Sequence, residues 1–278
     1  MLQAILFGVL QGLTEFFPVS SSGHLALFKH FVPGMEKWGS GIEFEVAVHF
    51  GTTVAVLAVF YREVIEIVKE CVTIVRVAVV ERKPAEALRG ANGTPWVVAI
   101  VVGSIPTALI AVPFKDVVER MFSSVGLVGV AFAVTGALLW ATRWFDSPNG
   151  GDRPRPLTKL PALVVGAVQG IAIIPGISRS GSTISAGLFL RLDRETAGKF
   201  SFLLSVPAVL GANMLKLRHG LSLDAIRLHE LIVGTVAATV VGYVCLRLLM
   251  PLIKRGRFYY FAYYCWFAAI VALLLSCR

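Results

Sequence analysis

One sixteen-residue pattern is written twice into this chain, and it limits what the chain can fold into. The first copy runs from Gly8 to Gly23 (GVLQGLTEFFPVSSSG), the second from Gly166 to Gly181 (GAVQGIAIIPGISRSG). Gly8, Gln11, Gly12, Ser20, Ser22 and Gly23 match Gly166, Gln169, Gly170, Ser178, Ser180 and Gly181 at a constant offset of 158, with the proline displaced by one. Each copy sets an apolar run before a proline turn and a hydroxyl-rich loop. The runs, 2–17 and 160–174, are too short to cross a hydrocarbon layer, which takes roughly 20 residues. Each is followed by a second short apolar helix, 24–32 and 182–190, which predicts a hairpin that enters and leaves the bilayer by one side. Irregular backbone at that depth survives only against protein or a water-filled cavity. Two interrupted segments in corresponding places of two halves therefore mark a polar site inside a membrane protein.

Composition agrees with a bilayer setting. Hydrophobic residues make up 56% of 278 positions and charged ones 15%, with a mean hydropathy of +0.76. A water-soluble domain could not bury that much apolar surface. The opening Met1-Leu2-Gln3-Ala4 lacks the basic stretch of a secretory leader, so no cleaved signal is expected. Six runs are long enough to span: about 44–61, 95–114, 125–145, 197–217, 229–250 and 258–277. The first continues as an amphipathic helix from Arg62 to about Val80, because Arg62, Glu66, Lys69, Thr73 and Arg76 recur at helical spacing.

Each half then holds one re-entrant hairpin and three spans. Three is odd, so the second half lies upside down relative to the first. Val102-Gly103-Ser104 and Val233-Gly234-Thr235 match across the halves and support the duplication. The expected fold is an all-α polytopic membrane protein of ten helices in two inverted repeats, about 1–145 and 157–278. The Pro- and Gly-rich stretch 146–156 reads as the linker between them. Neither half alone could shield its hairpin, so residues 1–278 are expected to form a single domain.

A net charge of +9 and a pI near 9.7 would suggest nucleic-acid binding in a soluble chain. Here basic residues mark cytoplasmic loops instead, and no nucleic-acid partner is expected. Loops 62–94, 143–159 and 247–257 hold fourteen Lys and Arg, against eight in the opposite segments 25–43, 115–124, 214–228 and the C-terminus. That places the mouth of the first hairpin and both termini on the outer face. Cys71, Cys245, Cys265 and Cys277 form no CxxC pair and read as buried thiols.

The candidate chemistry gathers at the two proline turns. Glu15 lies in an apolar stretch, where a carboxylate is a functional hypothesis by default. Gln11 precedes it by four, on the same helix face, so the pair suits a divalent-cation site or a proton relay. Ser20, Ser21, Ser22 and Gly23 open the returning helix, whose amides and dipole favour an anion. His24, three residues after Ser21, is close enough to exchange a proton with it. Ser-rich helix starts also serve as plain N-caps. The second turn offers Gly176 for close backbone approach, Ser178, Ser180 and Thr183 as donors, and Arg179 as a planar fork for phosphate or a counter-charge for Glu15. Pooled, these groups suit a phosphate or diphosphate ester bound from the lipid by its hydrocarbon tail. Glu45 and His49, four apart, face either this site or each other. Glu195 and Lys199 read as an ordinary i, i+4 pair. Phe258, Tyr259, Tyr260, Tyr263, Tyr264 and Trp266 read as an interfacial aromatic belt.

The stretches QGLTEFFPVSSSGH, from Gln11 to His24, and PGISRSGST, from Pro175 to Thr183, together resemble the two signatures of the undecaprenyl-diphosphate phosphatase family, the bacitracin-resistance type. The resemblance covers essentially the whole chain, including Phe44-Glu45-Val46, Gly103-Ser104-Ile105-Pro106 and the stretch Phe200–Pro207. It implies an enzyme of the cell membrane that hydrolyses undecaprenyl diphosphate so that the lipid carrier is reused for cell-wall synthesis. It also implies a divalent cation, Mg²⁺ or Ca²⁺, and a site open to the outer face. Carried over, Glu15 holds metal or orients the attacking group, with Gln11 beside it. Ser21 and His24 become the hydroxyl and its acid/base partner, and Arg179 with Ser178, Ser180 and Thr183 binds the diphosphate. Gln11 stands where many members carry a second Glu, which removes one charge from a metal site. Whether Ser21, His24 or water attacks phosphorus stays open, as does a homodimer. Acid-phosphatase-like lipid phosphatases need His at the sixth position after Ser178-Arg179, where this chain has Ser185. The remaining rival is a polyprenyl-phosphate carrier using the same inverted-repeat site without hydrolysis.

Overall fold

The computed structural model describes residues 1–31, 42–80, 82, 95–145, 155–217 and 228–277. Among the described residues the chain is all helical, apart from an isolated bridge between Arg155 and Leu192. In order, the helices are α1 (Leu2–Phe16), α2 (Ser21–Phe31), α3 (Ile42–Val59), α4 (Tyr61–Val75), α5 (Trp96–Met121) and α6 (Val125–Phe145). They continue as α7 (Lys159–Ile171), α8 (Arg179–Phe189), α9 (Arg194–Leu217), α10 (Leu228–Lys254) and α11 (Phe261–Ser276). A π-helical turn at Arg76–Val80 and a 3-10 turn at Phe258–Tyr260 complete the set.

Among the described residues five helices are long and apolar enough to cross a bilayer, and α3 with α4 would make a sixth. The expected amphipathic continuation is a helix of its own, turned 84° away from α3 at Phe60, so that eleven α-helices are described where ten were expected. Sequence periodicity explains the bend. Tyr61, Ile65, Val68, Val72 and Val75 form an exposed apolar stripe along α4. A helix with one apolar face gains most by lying along the interface instead of threading through the hydrocarbon. The linker 146–156 lies outside the described residues except for its last two positions, as do Lys83, Arg89 and Arg153 from the loop charges.

Solvent preference is reversed relative to a soluble bundle. Val101, Ile105 and Leu109 on α5, Val236, Val240 and Val244 on α10, and Phe267, Ile270 and Leu274 on α11 all point outward. Gln11, Glu15, Thr135, Gln169, Thr183 and Ser185 are buried instead. Lipid tails satisfy the outer faces, and polar groups retreat to the interior. At 15 and 13 residues, α1 and α7 reach only roughly 20 Å. Both are shorter than a hydrocarbon layer is thick, roughly 30 Å.

How the hairpins are held could not be read from either half alone. The α1 helix packs along α10, and α7 packs along α5, so each hairpin leans on a span from the other half. In both pairs the contact is glycine on glycine. A side chain at Gly8 would run into the carbonyl of Gly234, and one at Gly166 into the carbonyl of Gly103. Gly12 lies against Ala238 and Gly242, and Gly170 against Thr107 and Ile110. Small residues four apart let membrane helices approach closely where no hydrophobic force drives them together. Thr107 adds a hydrogen bond, its Oγ1 donating to the Gly166 carbonyl at 2.8 Å. Both pairs run parallel: the Met1 ammonium meets Glu230 at 3.1 Å at one end of α1 and α10, and residue numbers rise together from there.

Gly166→Ala should therefore force α7 away from α5 and lower stability by about 1–3 kcal/mol. Gly211→Ala in α9, where an added Cβ meets nothing within 4 Å, should be neutral or mildly stabilising. Thermal unfolding of both variants in detergent, followed by tryptophan fluorescence, checks the contrast.

Candidate active site

The two proline turns meet inside the bundle, where a serine hydroxyl of the first accepts from a backbone N–H of the second. In the first turn Ser20 adopts a left-handed conformation, φ +65°. Such a backbone strain in a non-glycine residue is of order 1–3 kcal/mol and persists only where its surroundings fix it. Here the Ser20 Oγ accepts from the Gly23 N–H at 3.3 Å, capping α2, and from the Gly176 N–H of the other turn at 3.2 Å. Gly176 itself sits at φ +95°, and a Cβ there would strike Val128 and Ala131 of α6. Ser178 mirrors Ser20: its Oγ accepts from the Gly181 N–H at 3.0 Å and caps α8. Ser22 and Ser180 pair with these caps at 3.2 and 3.3 Å. Thr135 on α6 joins the second turn to the scaffold. Its Oγ1 donates to the Gly176 carbonyl at 2.9 Å and accepts from the Ser178 N–H at 3.1 Å.

Two helix N-termini therefore point at one place, and the ionisable groups stand there. Glu15, on the last turn of α1, is 7% exposed. Its Oε1 is paired with the Arg179 guanidinium at the start of α8. Its Oε2 accepts from Gln11 Nε2 at 2.9 Å and from the Ser21 hydroxyl at 2.7 Å. His49 on α3 places Nε2 4.0 Å from that same oxygen. A carboxylate so far from water needs a partner, and losing one member of a buried pair costs about 3–5 kcal/mol. Behind Arg179, Ser201 and Ser205 of α9 line a narrow cleft with Glu15 and Ser180. Thr183 lies deeper, its hydroxyl bonded to the Arg179 carbonyl at 2.7 Å and to Ser201 at 2.5 Å.

Glu15, Gln11, Ser21 and Arg179 are thus brought together as the sequence suggests, with His49 of the pair on α3 close by. Its companion Glu45 carries its carboxylate elsewhere, to Lys216 of α9 at 2.6 Å, while the Glu45 carbonyl accepts from His49 Nδ1 at 2.8 Å. Glu195 and Lys199 make the expected pair at 2.9 Å, extended by Glu63 and Lys254. The anticipated contact between Ser21 and His24 is absent: among the described residues no hydrogen bond joins them. Ser21 is bonded to Glu15 instead. The His24 ring turns the other way, with Nδ1 2.8 Å from the Ser20 carbonyl and Nε2 2.7 Å from the Tyr264 hydroxyl. It lies on the wall of an apolar cavity of about 480 Å³ between α1, α10 and α11, lined by Leu10, Leu13, Phe17, Leu252 and Phe261. Tyr264 is therefore more than a belt residue. Nothing in sequence spacing links positions 24 and 264, so only the folded chain reveals the contact.

Among the described residues no three His, Cys, Asp or Glu side chains stand where they could share a metal ion. The donors present are hard oxygens: the Glu15 carboxylate, the Ser21 hydroxyl and the Gln11 Oε1, which is buried without a hydrogen-bond partner. A single carboxylate with neutral oxygens suits a weakly held hard cation that takes its remaining ligands from phosphate and water.

Comparison with known proteins agrees with this chemistry. The family model described as bacitracin resistance protein BacA matches residues 4–271. The chain is 43% identical to an undecaprenyl-diphosphatase of Desulfosudis oleivorans over 100% of its own length and 99% of the relative. It is 41% identical to an undecaprenyl-diphosphatase of Desulforapulum autotrophicum, covering 98% and 97% of the two chains. An undecaprenyl-diphosphatase of the archaeon Korarchaeum cryptofilum is 36% identical, with 98% of each chain covered.

Thr135→Val keeps the shape of α6 but orphans a buried carbonyl and a buried N–H at the second turn. The loss should be about 1–3 kcal/mol in thermal unfolding. Limited proteolysis should then open the Ile173–Ser178 turn before any span.

Proposed function

Because this chain belongs to the bacitracin resistance protein BacA family, we propose that it hydrolyses undecaprenyl diphosphate to the monophosphate and inorganic phosphate, returning the lipid carrier to cell-wall synthesis. The undecaprenyl-diphosphatases it resembles over nearly its full length support the substrate. The observation that carries the chemistry is the Glu15–Arg179 pair, set where the N-termini of α2 and α8 converge. Diphosphate entering the cleft exchanges Glu15 for phosphate oxygens on the Arg179 fork, whose geometry suits either. The amides at the two helix starts, with Ser22 and Ser180, add donors for the remaining charge. Removing the substrate's negative charge from water and neutralising it in place is most of what phosphoryl transfer requires.

Released from Arg179, Glu15 still holds the Ser21 proton. It is placed to accept that proton as the Ser21 oxygen, or a water bound against it, attacks the terminal phosphorus. The P–O bond to the bridging oxygen then breaks, and polyprenyl monophosphate leaves. Attack by water gives inorganic phosphate directly, whereas attack by Ser21 gives a phosphoserine that water then hydrolyses, releasing inorganic phosphate and restoring the hydroxyl. His24, one helical turn from Ser21, is the proton-transfer group for the leaving oxygen. Glu15, Gln11 Oε1 and Ser21 would hold a divalent cation, Mg²⁺ or Ca²⁺. Such an ion supplies further neutralisation of the diphosphate. Bacitracin resistance fits the same reading, since a faster return of carrier leaves less diphosphate exposed.

The reading extends to architecture and orientation. Ten of the helices form two inverted repeats, a hairpin and three spans each, with α4 as an interfacial addition. The crosswise Gly8–Gly234 and Gly166–Gly103 contacts support this, because residues matched in sequence occupy matched places. So does the parallel run of α1 with α10 and of α7 with α5, whose partner spans face opposite ways when crossings are counted along the chain. With the basic loops cytoplasmic, the first hairpin opens to the outer face of a multi-pass cell-membrane protein.

Purified protein in detergent should release phosphate from a polyprenyl diphosphate. His24→Ala and Arg179→Ala should each reduce release by about a hundredfold or more while still folding. Wild-type turnover in both would remove the site assignment. Chelation should stop release, and Mg²⁺ or Ca²⁺ should restore it. Gln11→Glu should lower the metal concentration needed for half-maximal rate, since it returns a charge beside Glu15.

A further inference from the structure

Tyr264 lies far from Ser21 in the chain and outside both proline turns, yet it makes the only hydrogen bond to His24 Nε2 among the described residues. Hydrogen-bond chemistry fixes the direction of that contact. The Ser20 carbonyl has no proton, so His24 Nδ1, 2.8 Å away, must carry one. A neutral imidazole with its proton on Nδ1 has a bare lone pair on Nε2. The Tyr264 hydroxyl, 2.7 Å from Nε2, is therefore the donor. The two rings lie nearly parallel, 14° apart with centroids separated by 5.6 Å, and Phe132 meets the imidazole edge-on at 5.1 Å. Phe132 is fully buried, and Gly23 is backed against both Phe132 and Gly176. The first turn of α2 has nowhere to retreat, so the imidazole is gripped on three sides.

We propose that Tyr264 is a positioning residue for His24, holding its imidazole in one orientation with Nε2 at the wall of the apolar cavity beside the proline turn. The proposal rests on the reading of His24 as the proton-transfer group. A phenol both donates and accepts. When Nε2 takes up a proton, that N–H becomes the donor and the hydroxyl turns to accept it, so the ring keeps its place in both protonation states. No aliphatic or phenylalanine side chain could follow the proton in this way. The Ser20 carbonyl thus sets the tautomer at Nδ1, and the Tyr264 hydroxyl, on the wall of the cavity lined by Leu10, Leu13, Phe17, Leu252 and Phe261, sets where Nε2 points.

Tyr264→Phe tests this directly. Tyr264 is 45% exposed and phenylalanine keeps its ring, so folding and thermal stability should be retained. Phosphate release from a polyprenyl diphosphate should show kcat lowered about tenfold, the effect of one lost hydrogen bond, with KM unchanged. In protein carrying 15N-labelled histidine, the His24 ring, assigned by its disappearance in His24→Gln, should keep its proton on Nδ1 in both proteins, while the Nε2 resonance moves in Tyr264→Phe to that of a lone pair without a hydrogen bond. Wild-type kcat, a change confined to KM, or an unaltered Nε2 resonance would overturn the assignment. Wild-type turnover by His24→Ala would instead remove the underlying role of His24, so the two failures are separable.

Discussion

A peptide turn placed at the depth of a bilayer must find every hydrogen-bond partner inside the protein, because the surrounding hydrocarbon offers none. Everything distinctive here follows from that requirement. The Gly176 N–H has the Ser20 hydroxyl, its carbonyl has Thr135, and the Ser178 N–H has Thr135 again. The first turn completes the second from one side, and α6 completes it from the other. Serine and threonine suit the task because one hydroxyl donates and accepts at once. The left-handed backbone of Ser20 is tolerable for the same reason, since the interactions that fix it also close the gap between the turns.

The same geometry creates the chemistry. Bringing the turns together aims two helix N-termini at one point and makes the surroundings favourable to negative charge. Glu15 occupies that point, facing Arg179 from the opposite half. The carboxylate is the negative charge facing Arg179, and its other oxygen accepts from Ser21. In the proposed function structural support and reactivity draw on one set of atoms, since Ser20 and Ser178, expected to bind substrate, serve as caps. That proposal assigns Ser21, Arg179, Ser22 and Ser180 to the ligand.

Much of this was legible in the sequence alone. The repeated motif located both turns, because an apolar run too short to span, ending at a proline, leaves a membrane chain little choice but to turn back. The i, i+4 relation of Gln11 and Glu15, the need of Arg179 for a counter-charge and five of the six expected spans follow from local periodicity and the penalty for buried charge. Three things did not. The bend at Phe60 depends on a competition between continuing a helix and laying its apolar stripe along an interface, which periodicity alone does not settle. The turn of His24 away from Ser21 depends on the Ser20 carbonyl behind it and on Tyr264, some 240 positions distant in the chain. The packing of each hairpin against the other half depends on glycine contacts that carry meaning only once the helices are side by side.

That last arrangement bears on how the protein is made. The α1 helix leaves the ribosome about two hundred residues before the α10 surface that receives Gly8 and Gly12. Until then a short apolar segment ending in a carboxylate has only α2 and α3 beside it and lacks the helix along which it packs most closely. Biogenesis must shelter it at the bilayer edge or within the insertion machinery while most of the sequence follows. Assembly of the reaction centre is consequently a late event, and a ribosome stalled before α10 would leave a chain whose opening hairpin has no dock.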